Sequence, residues 1–243
     1  MKNLIFLKIY LIASLFLSLP LCAKDFSTMI ELGQNWQLRN DVRIPSQGGT
    51  KLAIDDFDNG PFNHGRLEFT YRWSQKHGLR LIYAPLTTYS EGISNQTINF
   101  NGQSFNTTDK LSIKYRFNSY RLGYVYRFSE NFYFGGTLKV RDASVRFKQN
   151  ATTSEYNNTG LVPLFYLAYL KPMTESWSFF TDADFAAAPQ GRAIDLSIKF
   201  RKKIKSATYL SLGLRTLEGG ADNEKVYTFS WFTYLLGDIY FEF

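Results

Sequence analysis

The sequence predicts an all-β fold, a transmembrane antiparallel up-and-down β-barrel of about ten strands. Apolar residues recur at every second position in stretch after stretch, and short turns alternate with longer connections. Aromatic residues make up 17% of the chain, yet the mean hydropathy is negative. Successive side chains of a strand point to opposite faces, so a wall between lipid and a polar lumen averages to a value that hides its greasy side.

The N-terminus reads as an export signal. Met1 to Lys8 is basic, Ile9 to Leu19 is apolar, and Leu21-Cys22-Ala23 precedes Lys24, which predicts a cleaved segment 1–23 and a barrel over 24–243. The apolar run is short for a spanning helix, and no later stretch reaches the roughly 18 to 20 apolar residues one needs. Cys22 is the only cysteine, and Leu21 is a poor residue to precede a lipidated one. Cleavage after Ala23 leaves no thiol, hence no disulfide, cysteine nucleophile or thiolate metal site. Losing Lys2 and Lys8 takes the formal charge from +7 to +5. In an exported chain this excess fits anionic lipopolysaccharide or charges turned into a lumen, and nucleic acid is not expected as a partner.

The strands follow in order. The first carries Phe26, Thr28, Ile30, Leu32, Trp36 and Leu38 on one face, with Glu31, Gly33, Asn35, Gln37 and Arg39 on the other. The second sets Leu67, Phe69, Tyr71 and Trp73 against Arg66, Glu68, Thr70 and Arg72, and the third sets Leu79, Leu81 and Tyr83 against Arg80 and Ala84. Beyond Tyr89 the third and fourth strands project as a ribbon, turned at Asn101-Gly102, a dipeptide suited to a two-residue hairpin. Returning, Leu122, Tyr124, Tyr126 and Phe128 face lipid. Ile113, Tyr115 and Phe117 have the opposite parity, so a bulge between Phe117 and Arg121 is expected.

The fifth strand shows Phe132, Phe134, Leu138 and Val140 outside, and the sixth runs from about Leu161 to Leu170. The seventh has Trp177, Phe179, Thr181, Ala183 and Phe185 outside with Asp182 and Asp184 inside. The eighth has Ile194, Leu196, Ile198 and Phe200 outside with Asp195, Ser197, Lys199 and Arg201 inside. The ninth sets Leu210, Leu212, Leu214 and Thr216 against Ser211, Gly213, Arg215 and Leu217. The tenth counts back in twos from Phe243 through Ile239, Leu235 and Trp231 to Tyr227 outside, with Ser230, Tyr234, Asp238, Tyr240 and Glu242 inside. Outer loops are expected at about 40–64, 87–110, 149–160, 187–192 and 218–226, with short turns near residues 74–78, 129–131, 172–175 and 202–206. A soluble barrel would have to store all these aromatics in its interior, which ten strands cannot accommodate. Trp36, Trp73, Phe128, Phe132, Trp177 and Phe243 suit interfacial girdles instead.

The last strand, ending flush at Phe243, resembles the terminal assembly signal of bacterial outer-membrane β-barrel proteins. The resemblance implies the outer membrane as location, lipid and lipopolysaccharide as surroundings, and the barrel assembly machinery as a partner through Phe243. Asn40 to Pro45, Tyr115 to Tyr124, Ala188 to Ala193 and Leu214 to Asp222 are similar to segments of an uncharacterised proteobacterial outer-membrane barrel group, which brings no activity with it.

Alternation places charges of both signs in a narrow lumen, which predicts a salt-bridged plug. At the outward strand ends Asp41, Arg43, Arg141, Asp184, Gln190, Arg192, Asp195, Arg215 and Glu218 form a candidate site for a small anionic ligand such as a carboxylate, phosphate or sugar acid. A monomeric structural or surface-binding protein is therefore expected, its ligand an anion, lipopolysaccharide or a host surface. A narrow channel for small solutes and a rim hydrolase acting on lipid A or peptides are the alternatives.

Omptin-like proteases also have ten strands and work with acidic residues and a histidine at the rim. Here only His64 and His77 exist, and neither sits in a catalytic pattern. No catalytic residue, cofactor or metal site is assigned. Asp55-Asp56-Phe57-Asp58-Asn59-Gly60 departs from a calcium-loop spacing and reads as a solvated turn.

Overall fold

The structure, a computed structural model, describes residues 25–189 and 191–243. The predicted export signal lies outside these residues. Fourteen strands follow in order among the described residues: β1 (Phe26–Arg43), β2 (Leu52–Ala53), β3 (Phe62–Arg72), β4 (His77–Ala84), β5 (Thr87–Gly92), β6 (Ile98–Phe100) and β7 (Gln103–Phe105). They continue with β8 (Leu111–Arg127), β9 (Phe132–Gln149), β10 (Thr152–Pro172), β11 (Trp177–Ala188), β12 (Gly191–Lys205), β13 (Thr208–Asp222) and β14 (Tyr227–Glu242).

Ten staves close into a ring. Each pairs antiparallel with its sequence neighbour, and β14 pairs with β1 to shut the seam. β4 and β5 make one stave, because His77 to Ala84 and then Thr87 to Gly92 pair successively along β8. The start of β1, Phe243 and the β3–β4, β8–β9, β10–β11 and β12–β13 turns share one end, here the terminal end, and the other connections, the long ones and the tight β9–β10 turn among them, share the far end.

Side-chain direction follows the predicted parity. Leu32, Leu67, Leu122, Phe165, Leu212 and Leu235 are exposed on the outer wall, Leu32 by 64%, while Glu31, Arg66, Arg121 and Asp238 are buried on the inner one. A wall with its large apolar side chains outward and its ions inward is stable only with hydrocarbon around it.

Five expectations are corrected. The bulge expected between Phe117 and Arg121 is absent: β8 and β9 pair without a shift from Ser112↔Lys148 to Arg127↔Tyr133. Ile113, Tyr115 and Phe117 therefore stay on the inner face, where an apolar core receives them.

A bulge occurs in β1 instead. Gln37 pairs with Phe232 and Arg39 with Trp231, so Leu38 is the extra residue. Beyond it the parity flips: Asn40 and Val42 are buried, and Arg39, placed inside by simple alternation, turns outward over the Phe229 ring.

The connection expected at 149–160 is strand almost throughout, with Gln149↔Thr152 closing a tight turn. Likewise β13 extends to Asp222, well into the loop expected at 218–226.

The projecting ribbon is only partly present. β5 continues along β8, but β6 and β7 form a separate hairpin, turned at Asn101 (φ 47°) and Gly102 (φ 80°). Positive φ at both central residues is what Asn-Gly favours, as the sequence predicts. The hairpin folds back over the barrel, with Phe100 stacked on Phe147 at 4.1 Å.

Candidate functional site

Inside the ring, charged residues on alternating positions are buried, and most of them face each other. Glu31 on β1 is fully buried. Its Oε2 lies 2.6 Å from Lys199 Nζ, and its Oε1 lies 2.9 Å from His64 Nε2 and 3.3 Å from Arg215 Nη1. Lys199 Nζ also reaches Asp238 Oδ2 at 2.8 Å, and Ser211 Oγ donates to Asp238 Oδ1 at 2.7 Å.

Asp195 is held by both prongs of Arg215, Nε to Oδ1 at 2.6 Å and Nη2 to Oδ2 at 2.7 Å, and by Arg121 as well. Arg121 Nη1 meets Asp184 Oδ2 at 2.7 Å, and Thr137 Oγ1 donates to Asp184 Oδ1 at 2.7 Å. Towards the terminal end, Glu68 takes Arg66 Nη2 and Arg80 Nε, each at 3.0 Å. A buried charge is tolerated when it is paired and its remaining lone pairs are filled. Most members of this network are both.

Above the ions lies an apolar layer. Tyr115, Phe147, Leu217, Phe232 and Leu236 point inward from the staves, and Ile44, Leu52, Ile54, Ile98 and Phe105 come in from the far-end connections. Polar links hold these connections down. Asn40 N donates to Asp55 Oδ1 at 2.7 Å, Ile54 N donates to Asn40 O at 2.8 Å, and Gln37 N donates to Asn59 O at 3.0 Å. The acidic stretch read as a solvated turn is therefore partly a clasp: Asp55 ties the loop to β1, and Phe57 packs over Gly92 of β5. Buried ion pairs thus cross the lumen at mid-height and an apolar cluster lies across it at the far end.

The nine residues proposed from the sequence do not converge on one mouth. Asp184, Asp195 and Arg215 meet in the buried network. Arg141 faces inward above them and donates to Asn158. Arg192 and Glu218 share the outward parity of Ile194 and pair with each other, Arg192 Nε lying 3.0 Å from Glu218 Oε1. The bulge sends Asp41 and Arg43 outward too, Asp41 against Arg39 at 2.7 Å and Lys51 at 3.3 Å, and Arg43 over the Tyr227 ring at 5.2 Å. Gln190 lies outside the described residues.

Two features escaped the sequence reading. His64 belongs to β3 and sits in the lumen beside Tyr234, a placement that its alternation with Arg66 and Glu68 would have given. The outward patch of Arg39, Arg43 and Lys51 over Phe229 and Tyr227 depends on a bulge that carries no proline or glycine to announce it. His64 and Asp184, the residues a rim hydrolase would draw on, are both enclosed in the network.

No protein-family model matches the sequence, and no curated protein matches it. The structure is similar to the outer membrane protease OmpT from Escherichia coli, with a TM-score of 0.59 and 9% identity, covering 93% of this chain and 99% of that one. Weaker similarity extends to Ail, the attachment invasion locus protein of Yersinia pestis, in complex with the heparin analogue sucrose octasulfate: TM-score 0.41, 13% identity, 89% of this chain and 98% of that one. The toluene transporter TodX of Pseudomonas putida gives a TM-score of 0.37 at 10% identity, over 91% of this chain and 90% of that one. At 9% identity the likeness to OmpT carries the fold and none of its chemistry. The closed ring of ten staves with an apolar outer wall is a β-barrel of the bacterial outer-membrane kind.

Proposed function

We propose that this protein is a non-conducting outer-membrane barrel, monomeric, that works at the cell surface through what it displays there. The end that carries the start of β1 and Phe243 faces the periplasm, and the end with the long connections faces outward, following the habit of such barrels. The observation that carries this reading is the pair of layers across the lumen, the Glu31–Lys199–Arg215–Asp195–Arg121 network and the apolar cap above it.

The surface partner is the phosphate-bearing lipopolysaccharide of the outer leaflet. Arg39, Arg43 and Lys51 lie on the outer wall at the far end, their cationic groups over the Phe229 and Tyr227 rings, with Trp231 on the same face of β14. Cations above an aromatic girdle are placed where lipid phosphates lie. Phe243 is the residue offered to the assembly machinery.

Purified protein in planar bilayers tests the first claim. A flat current is expected, and discrete conductance steps in the wild type would replace this reading with that of a narrow channel. Hydrolysis of lipid A or a peptide by the wild type, abolished by Asp184→Ala or His64→Ala, would replace it with a rim hydrolase.

A further inference from the structure

At the terminal end, below the ion network, the lumen opens into a cavity of about 280 Å³. Its inner limit is set by Arg66, Glu68, Arg80 and Lys199, and its rim by the exposed residues Gln75, Lys76 and Glu130, so it communicates with solvent on that side. Seven cationic side chains and four carboxylates line it. The deeper carboxylates are engaged: Glu68 by Arg66 and Arg80, and Asp182 by Ser197.

Arg201 stands out in this wall. It is 8% exposed and, among the described residues, forms no ion pair, and its Nε has no hydrogen-bond partner. The Tyr240 and Phe180 rings face its guanidinium at 4.5 and 4.7 Å. Ring faces stabilise a cation but accept none of its five N–H bonds in the way an oxyanion does. Arg66 Nε is likewise buried without a partner on the inner side of the same cavity.

We propose that this cavity is a binding site for a small oxyanion, a carboxylate or phosphate carried on a diffusible solute, with Arg201 as the main charge partner. The forked guanidinium suits such a group, and the surplus of cations in the wall favours its entry. A volume of about 280 Å³ within a closed ring admits a small solute and excludes a polymer strand. The periplasmic source of the solute rests on the orientation given above. Binding itself does not, because detergent-solubilised protein exposes both ends.

Equilibrium dialysis of the purified barrel in a zwitterionic detergent at low salt tests the site, with 4-nitrophenyl phosphate and 4-nitrobenzoate as probes and 4-nitrobenzyl alcohol as the neutral control. Saturable retention of at least one oxyanion over the alcohol is expected. Arg201→Gln should weaken it about tenfold or more, as loss of a charge-assisted hydrogen bond does, with Arg201→Lys in between. Arg192→Gln, at the far end, should leave it unchanged. Should Arg201→Gln fail to fold, judged by heat-modifiable gel mobility, Thr70→Trp fills the cavity from β3 and should abolish retention. Equal retention of the alcohol, or full retention in Arg201→Gln or Thr70→Trp, would overturn the proposal whatever the bilayer recordings show.

Discussion

Arg66 Nη2 lies 3.9 Å from Asp182 Oδ2, although β3 and β11 are separated by four staves whichever way the ring is followed. Opposite walls touch through two side chains. A ten-stave ring is narrow enough for this, and the contact shows how inward charges of both signs meet across the lumen.

The network should be sensitive to loss of a single partner. Glu31→Ala leaves Lys199 with Asp238 alone, Arg215 with Asp195 alone and His64 without its carboxylate, an uncompensated buried positive charge that should lower stability by about 3–5 kcal/mol. Urea unfolding in lipid vesicles measures it. A change within experimental error would mean that water already screens the lumen.

The outer wall makes a complementary prediction. Leu212 is exposed within the apolar belt, so Leu212→Arg should cost about 2–4 kcal/mol in lipid, depending on depth. Glu218→Ala, which removes an exposed ion pair, should cost no more than about 1 kcal/mol. If the arginine is tolerated as well as the alanine, the belt does not face hydrocarbon.

For the outward basic patch, lipopolysaccharide affinity is the readout. Replacing Arg39, Arg43 and Lys51 together by Ala should weaken binding by about 3 kcal/mol at low salt, at roughly 1 kcal/mol per cation, and the loss should shrink as salt is raised. Co-sedimentation with purified lipopolysaccharide measures it, and binding equal to wild type would remove the patch from the proposed function.

The cap can be loosened without touching the ions. Phe147 anchors the β6–β7 hairpin through Phe100 and Phe105, so Phe147→Ala should cost about 3–5 kcal/mol locally. Chymotrypsin should then cut after Phe100 or Phe105 while the staves survive. Protection equal to wild type would show that the hairpin is held by other contacts.

The sequence made the barrel legible because a period of two over long strands leaves few other folds. The inward placement of Asp184, Asp195, Lys199 and Arg215 followed from it directly. The far-end residues do not group for a physical reason: residues at one height share a pocket only when they share a face, and Arg192 lies on the outward face with Ile194. Asp41 and Arg43 were harder, since a one-residue bulge at Leu38 reverses every later side chain and leaves no compositional trace. Ile113, Tyr115 and Phe117 misled in the opposite sense. Apolar residues on the lumen face suggested a shift in register, when the loops were supplying them with a core. The Arg201 cavity needed coordinates, because nothing local distinguishes an unpaired lumen arginine from a paired one.

The seam between β14 and β1 runs from Ser27↔Glu242 to Arg43↔Tyr227, with Phe243 N donating to Phe26 O at 2.8 Å. It joins the two staves farthest apart in the sequence, and it alone turns the row of neighbour pairings into a closed cylinder. Without that stave, β1 and β13 would each present a row of bare amides and carbonyls to hydrocarbon, at several kcal/mol apiece. The one stave β14 thus satisfies both of those edges at once, through its ladders with β1 and β13.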